Sequence, residues 1–199
     1  MKASNLVSLL LLYLFCSCNY GNKPNVPKVS FGIYETVKVK DLPNSFIETL
    51  KNTNTKFENN VQVPVIGYIE KSDSMILHID FSKENFKIVK TFSPVDQDGK
   101  YYALVAVKRS SLIENSDINN TNIKGQNVEI HFNLKGASKW ADMTKNNIGN
   151  RVAFIIDNQI CTMPVVNAEI KTGDAIINGI GDETIAKSIS ESLNSSIPK

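Results

Sequence analysis

Residues Val128–Leu193 read VEIHFNLKGASKWADMTKNNIGNRVAFIIDNQICTMPVVNAEIKTGDAIINGIGDETIAKSISESL. Apolar and polar residues alternate from Val128 to Leu134, and this period of two predicts a half-buried strand. A helix should follow, because apolar or small residues recur at the spacing of one helix face, at Ala137, Trp140, Ala141, Thr144 and Ile148. The apolar run Val152–Ile156, the turn Asp157-Asn158 and a strand through Val166 predict a β-hairpin, since Asp and Asn tolerate the positive φ of a tight turn.

The end of this stretch contains a short strand and a last helix. Gly173 and Gly179 are spaced as turn residues on either side of the strand Ala175–Ile177. Asp182 is the predicted N-cap of the helix. Its packing face contains Ile185, Ala186, Ile189 and Leu193, whereas Ser188, Ser190 and Ser192 are expected to face solvent. Trp140, the only tryptophan, is expected to pack in the core.

Three consecutive pieces of this stretch resemble one known family. They are the predicted helix with its continuation, Gly136–Ala153; the hairpin, Ile155–Asn167; and Ile170–Gly179, which precedes the last helix. In this order and spacing they resemble the head subdomain of the first periplasmic domain of SecD, in the SecDF protein-export family. The resemblance starts near Tyr101 and covers about half of the chain. The residues it marks as structural motif positions are Gly149, Asp157, Pro164, Gly173 and Gly179.

Two positions depart from the family pattern. Asn158 stands where the family commonly has Gly, and Cys161 takes a place usually given to a small polar residue. The resemblance implies a non-catalytic domain that contacts exported polypeptides. It does not imply energy coupling, because the ion-conducting groups of the family lie in membrane helices. No stretch after Phe15 is long and apolar enough to span a bilayer.

The N-terminus has the pattern of a bacterial lipoprotein signal. Met1-Lys2 provides a positive start, Leu6–Phe15 is apolar, and Cys18 follows a small residue and is the predicted lipidation site. The alternative is an ordinary signal peptide cut near the same place. We therefore expect a signal peptide at residues 1–18, a flexible tether at 19–29, and a stand-alone lipoprotein that faces the periplasm from the inner or outer membrane.

The rest of the chain predicts an α+β fold with mostly antiparallel sheet and a few helices. Residues 30–95 are predicted as a small strand-helix-strand-strand subdomain, and residues 96–199 as the head-like domain. The predicted elements of the first half are a strand at Phe31–Val39, a helix after Asp41, and strands at Val63–Ile69 and Met75–Phe81. Tyr101–Val107 should be a central strand, and the polar stretch Lys108–Gln126 a long connection. Whether residues 30–95 are separate or complete one sheet with the rest stays open.

The composition argues against several classes of function. In 199 residues with a net charge of +2, the basic side chains are dispersed, so nucleic acid is not an expected partner. His78 and Asp80 share a strand face, and His131 lies on another strand, so the three could bind a metal if those strands were neighbours. Nothing except their spacing favours such a site. We expect these residues to face solvent, and we expect no metal or other cofactor. If Cys18 is acylated and Cys16 leaves with the signal, Cys161 is the remaining thiol, and we expect a small buried hydrophobic residue on a hairpin strand and no disulfide. If Cys18 is not acylated, a Cys18–Cys161 pair becomes possible.

Two functions are consistent with these patterns, and neither is enzymatic. The first is a lipid-anchored envelope protein that binds exported polypeptide as an accessory to protein export. The alternative is an envelope adaptor or structural lipoprotein with one specific protein partner and no link to export. A broad apolar cleft beside the hairpin would favour peptide binding, and a flat charged surface would favour the adaptor.

Overall fold

The computed structural model describes residues 26, 28–51, 55–58, 63–70 and 84–198. The strands are β1 (Phe31–Glu35), β2 (Lys56–Phe57), β3 (Val65–Glu70), β4 (Phe86–Thr91), β5 (Tyr101–Lys108), β6 (Ile113–Glu114), β7 (Ile118–Lys124), β8 (Asn127–Phe132), β9 (Val152–Ile156), β10 (Gln159–Thr162) and β11 (Asp174–Ile177). The α-helices are α1 (Asn44–Lys51), α2 (Leu134–Asn146) and α3 (Glu183–Ser196). The fold is α+β, as predicted. The predicted strand Met75–Phe81 lies outside the described residues.

The strands form two sheets. The larger has the order β2-β3-β5-β4-β10-β9-β1-β6, and the smaller has the order β11-β8-β7. All pairs are antiparallel except β10 with β4. Strands from both halves of the chain are interleaved in the larger sheet, since β1 pairs with β9 and β4 pairs with β10. Residues 30–95 thus share one sheet with the rest, while a domain boundary near residue 95 stays a prediction.

The larger sheet curls until two distant strands meet. The chain beyond β1 reaches β5 through an antiparallel bridge between Thr36 and Val107. The amide N–H of Val37 donates to the carbonyl of Ala106 at 2.9 Å. As a result, β1, β9, β10, β4 and β5 form a closed ring. A small core fills this ring, and it comprises Val89, Val105, Val107, Ala153, Ile155 and Ile160.

The main core lies between the outer side of this ring and the smaller sheet. α2 and α3 contribute to it, and Trp140 of α2 is 3% exposed, as the sequence predicted. Its ring packs against Phe132 at 5.7 Å and Phe154 at 6.0 Å between centroids. α1 packs Phe46 and Leu50 into a second core with residues of β3, β4 and β5, where Phe46 meets Phe86 edge-on at 4.9 Å. Aromatic burial therefore fixes two of the helices to the sheets.

α2 is docked by polar as well as apolar contacts. Asn133 is its N-cap and accepts a hydrogen bond from the Gly136 N–H at 2.9 Å. The Asp117 carboxylate, with no exposed surface, accepts hydrogen bonds from Lys139 Nζ at 2.7 Å and from the Glu114 N–H at 3.0 Å. A Cβ on Gly136 would lie 2.2 Å from the Asp117 carbonyl oxygen. The helix consequently approaches this backbone more closely than any residue but glycine allows.

Several local predictions were wrong. Ile185, predicted on the packing face of α3, is 39% exposed. Leu134 is not on the strand: β8 ends at Phe132, and Leu134 opens α2 with 94% of its surface exposed. Ile148 lies beyond α2 and is 53% exposed. The polar connection contains β6 and β7, because a register shift between Ile118 and Asn120 interrupts the alternation while Ile118 and Thr121 remain buried.

Candidate functional site

A cleft of about 230 Å³ opens beside the β9–β10 hairpin. Three segments line it: the end of β4 with its following loop, the second half of β10, and the chain from the end of β11 into α3. The lining residues are Thr91, Phe92, Ser93, Pro94, Val95, Ile160, Cys161, Thr162, Met163, Gly179, Ile180 and Ile189. Two of the large apolar side chains stay accessible to solvent, Phe92 at 39% and Val95 at 51% exposure. Apolar surface is therefore presented at the rim as well as inside.

The hairpin positions the first wall of the cleft. Asp157 and Asn158 have φ values of 45° and 61°, as the predicted two-residue turn requires. The turn returns the chain as β10, which pairs in parallel with β4 through Ile160 and Thr91. One further hydrogen bond, from the Phe92 N–H to the Ile160 carbonyl at 2.8 Å, carries the pairing past the end of β4. It holds Phe92 beside β10 at the entrance.

A short loop holds the rim in place. The Asp96 carboxylate accepts hydrogen bonds from the Tyr101 N–H at 2.6 Å and the Lys100 N–H at 3.0 Å. These bonds lower the pKa of Asp96, the Tyr101 bond most. The Val95 N–H also donates to the Tyr101 carbonyl at 2.8 Å. These hydrogen bonds fix the loop backbone, and they hold the Val95 side chain in its exposed position.

The opposite wall is formed by the chain after β11. Gly179, at φ 75°, turns the chain so that Ile180 is buried to 7% exposure. Asp182 then caps α3, as predicted, by accepting from the Thr184 N–H at 2.6 Å and the Ile185 N–H at 3.2 Å. A hydrogen bond from Thr162 Oγ1 to Asn178 Oδ1, 2.8 Å long, links the two walls at one end of the cleft.

The lining has no group suited to acid–base or nucleophilic chemistry at neutral pH. No lining residue carries a carboxylate, an amine or an imidazole. The Cys161 thiol is the one titratable group, and burial raises its pKa from 9.0 to about 12. A thiol in that state is a poor nucleophile near pH 7. The lining is uncharged and mostly apolar.

The candidate metal residues are not brought together among the described residues. His78 and Asp80 lie outside them. His131 faces its neighbours on the smaller sheet instead, with Nδ1 2.8 Å from Asp174 Oδ1 and Nε2 3.2 Å from Asn122 Nδ2. Across the part of the chain that the structure describes, no group of three metal-ligating side chains occurs.

The five residues predicted as family-motif positions occupy turns and strand junctions. Gly149 and Gly173 have φ values of 81° and 76°, so both need the conformational freedom of glycine. Asp157 Oδ1 accepts from the Ser30 N–H at 2.8 Å, which ties the hairpin turn to the start of β1. The Pro164 carbonyl accepts from the Val152 N–H at 3.1 Å, and Gly179 borders the cleft. Cys18, the predicted lipidation site, lies outside the described residues.

Sequence reasoning missed the residues that matter most in the cleft. Phe92 and Val95 flank Pro94 in a loop, where neither helical nor strand periodicity marks them. Their apolar character in a loop was the available signal. Two serines were also wrongly predicted to face solvent. Ser190 and Ser192 are buried, and Ser190 Oγ lies 2.8 Å from Thr121 Oγ1. Small size lets α3 approach β7 at that point.

The SecDF P1 head subdomain model matches residues 89–197. The chain belongs to this family. SecD, the protein translocase subunit, of Leptotrichia buccalis is 26% identical over 127 residues, which cover 60% of this chain and 31% of that protein. SecD of Rickettsia typhi is 32% identical over 89 residues, covering 42% of this chain and 17% of that protein. The chain therefore matches less than a third of the length of these relatives.

Solved SecDF structures are also similar to this SecDF-family chain. One, described as a membrane component that enhances protein export, aligns with a TM-score of 0.49 and 16% identity over 86% of this chain and 64% of that chain. SecDF in a super-membrane-facing form aligns with a TM-score of 0.48 and 16% identity over 86% of this chain and 19% of that one. Among the described residues, no helix has the length and apolar character to cross a membrane.

Proposed function

We propose that this protein is a non-catalytic cell-envelope protein that binds polypeptide segments in the cleft and serves protein export. Membership of the SecDF P1 head family supports the link to export, because the relatives are protein translocase subunits. The uncharged, apolar cleft beside the hairpin is the observation that carries the binding role. Its chemistry supports apolar recognition over catalysis, since its one titratable group stays protonated near neutral pH.

The size of the cleft favours side chains of a polypeptide over a small-molecule ligand. Small-molecule sites usually enclose roughly 300–1,000 Å³. At about 230 Å³ this cleft accommodates one or two apolar side chains. The lining offers few polar groups that would fix the orientation of a specific metabolite. A hydrophobic residue in an unfolded chain needs no such fixing.

The expected affinity is low, and this suits a transient client. Burying one large apolar side chain contributes about 2 kcal/mol. Part of that gain offsets the ordering of the bound segment. The complex should therefore form and dissociate quickly, and many unrelated sequences with exposed apolar residues should compete for the same cleft.

A lipid anchor at Cys18 completes the proposal. The N-terminal pattern supports acylation of Cys18, with residues 19–29 as a tether that keeps the head near the membrane. The protein would then face the periplasm from the inner or outer membrane. Metabolic labelling with a palmitate analogue tests this: wild type should be labelled and Cys18→Ser should not. Labelling of Cys18→Ser, or an unmodified N-terminus in wild type, would refute the lipid anchor. Neither outcome would bear on polypeptide binding in the cleft.

A binding assay tests the cleft directly. The probe is a permanently unfolded polypeptide, reduced and carboxymethylated lactalbumin, labelled for fluorescence anisotropy. Val95→Asp places a charge on the apolar rim and should weaken binding about tenfold or more. Ser138→Asp adds the same charge on the exposed side of α2 and should leave binding unchanged. Equal affinities for all three proteins would overturn the assignment of the cleft.

Crosslinking in cells separates export from the adaptor function. A photoreactive amino acid at Val95 should capture many unrelated exported chains, whereas the same residue at Ser138 should capture few. One dominant envelope protein captured from Val95 would favour the adaptor and overturn the proposed role in export.

A further inference from the structure

The two edges of the smaller sheet differ in how their backbone is satisfied. This sheet has β8 in the centre, β7 at one edge and β11 at the other. An edge strand leaves alternate N–H and C=O groups without a partner strand, and these groups are a template for another chain. Which groups face outward follows from the register.

On β11 the outward groups belong to Asp174 and Ile176. The Phe132 N–H donates to the Gly173 carbonyl at 2.9 Å, which makes this pair a hydrogen-bonded one. The register continues without a shift, so Ala175 and Ile177 also bond to β8. Because hydrogen-bonded and non-hydrogen-bonded pairs alternate in an antiparallel ladder, the backbone of Asp174 and Ile176 faces away from β8.

On β7 the corresponding outward position is blocked by a side chain. Thr121 pairs with Ile130 and faces outward by the same alternation. The Asn194 side chain of α3 accepts from the Thr121 N–H at 2.8 Å and donates to the Thr121 carbonyl at 3.0 Å. The amide therefore occupies both hydrogen-bonding groups, as a neighbouring strand would. α3 closes this edge.

The β11 edge has no comparable cover. Within the described ranges, no hydrogen bond joins the main chain of Asp174 or Ile176 to another group. The Ile176 side chain is 46% exposed on the same strand. Two N–H and C=O pairs, separated by one residue, therefore stand available beside an apolar side chain.

We propose that β11 pairs through this edge with an extended segment of the polypeptide held in the cleft. The inference rests on the proposed function. An extended backbone presents donors and acceptors at the same spacing of two residues, so the pairing does not depend on the client sequence. An apolar client residue beside Ile176 would add cross-strand packing.

Position and size both favour a client segment over a second copy of this chain. Asn178 and Gly179 directly follow β11, and the bond from Thr162 to Asn178 brings this end of the edge to the cleft wall. A segment paired with β11 thus continues towards the cleft. A stable interface buries about 1,200 Å² or more, which a four-residue edge strand does not supply.

A proline substitution tests the edge without disturbing the sheet. Ile176→Pro removes the outward N–H, which takes no part in pairing with β8, and proline is tolerated at such edge positions. Ile123→Pro is the matched control, because Ile123 also faces outward but lies on β7 next to the blocked Thr121. With carboxymethylated lactalbumin as the probe, Ile176→Pro should weaken binding about tenfold, and Ile123→Pro should not.

Hydrogen exchange on the unmodified protein provides a test that needs no variant. The amides of Asp174 and Ile176 should exchange quickly in the free protein and become protected when the probe is saturating. The amides of Ala175 and Ile177 should be protected in both states. Two outcomes would overturn the strand pairing but not the cleft. In one, Val95→Asp weakens binding and Ile176→Pro does not. In the other, the probe leaves exchange at Asp174 and Ile176 unchanged. Absence of any probe binding by wild type would overturn the cleft as well. A dimer that Ile176→Pro dissociates, with probe binding intact, would assign the edge to a second copy.

Discussion

The region beneath α2 and the cleft beside the hairpin use similar apolar residues with opposite outcomes. Beneath α2, Trp140 is 3% exposed and glycine lets the helix touch the backbone of Asp117. At the cleft, Phe92 and Val95 keep 39% and 51% of their surface exposed although a fixed loop holds them. The difference separates apolar surface that stabilises the fold from apolar surface that stays exposed. Substitutions in the two regions should therefore affect different measurements.

The largest effect concerns the reactivity of Cys161 in the cleft wall. Since its pKa is raised to about 12, the thiolate fraction near pH 7 should be about a thousandfold below that of a cysteine at 9.0. Alkylation by iodoacetamide should be correspondingly slow and should still rise tenfold per pH unit above pH 9, where an ordinary thiol levels off. Mass spectrometry at several pH values measures this.

The unfolded protein in denaturant is the control for Cys161, and its alkylation should follow the ordinary curve. Fast labelling of the folded protein with a plateau near pH 9 would mean that the sulfur is solvated, and that the cleft wall is more polar than its lining indicates.

Beneath α2, Gly136→Ala should be the most damaging small substitution. The new methyl group would meet the Asp117 carbonyl at 2.2 Å, and overpacking of this kind costs about 3 kcal/mol. Helix propensity alone predicts the opposite sign. Chemical denaturation measures the free energy of unfolding. Ser138→Ala, at an exposed position of the same helix, is the control and should be neutral or slightly stabilising; equal values for the two variants would refute the close contact.

The buried carboxylate under α2 should matter somewhat less. Asp117→Ala leaves the Glu114 N–H and the Lys139 ammonium without their acceptor. We expect a loss of about 2 kcal/mol, because water reaches the Lys139 side chain, which is 37% exposed, and replaces part of the interaction. A double-mutant cycle with Lys139→Met should give a coupling free energy that shows a stabilising interaction between Asp117 and Lys139. Additive effects would show that the two groups do not interact.

The smallest effect on stability should come from the cleft. Val95→Asp, which is expected to impair polypeptide binding, should change the free energy of unfolding by less than about 0.5 kcal/mol, as at other exposed sites. Thermal unfolding followed by circular dichroism measures this. A large destabilisation would place Val95 with the core residues and remove the contrast between the two regions.

The sequence predicted the parts of the fold that depend on local pattern. The α+β class, the Asp157-Asn158 hairpin, the Asp182 cap and the burial of Trp140 are confirmed, because periodicity, turn chemistry and capping are encoded by neighbouring residues. The family resemblance was confirmed as well. Predictions failed where a distant contact decides: β7 carries few apolar residues and is a strand because β8 and α3 cover Ile118 and Thr121.

The cleft was out of reach for the same reason. Phe92, Ile160 and Ile180 are far apart in sequence, and only the parallel pairing of β10 with β4 brings the first two together. The apolar character of Phe92 and Val95 is visible in the sequence, but their exposure depends on Asp96 and on the end of β4. The hydrophobic pattern of the sequence predicts whether a segment is a helix or a strand, whereas the cleft depends on the order of the strands in the sheet.

The closed ring of strands constrains when the chain can fold. β1 begins at Phe31 and finds its partner in β9, where Phe31 pairs with Ile156. A chain that emerges N-terminus first must therefore leave one edge of its first strand unpaired until β9 has appeared, because the earlier partner, β6, pairs with the other edge. Native pairing over such long separations is slow, and the waiting strand is open to wrong partners. This domain should thus itself need protection between emergence and completion.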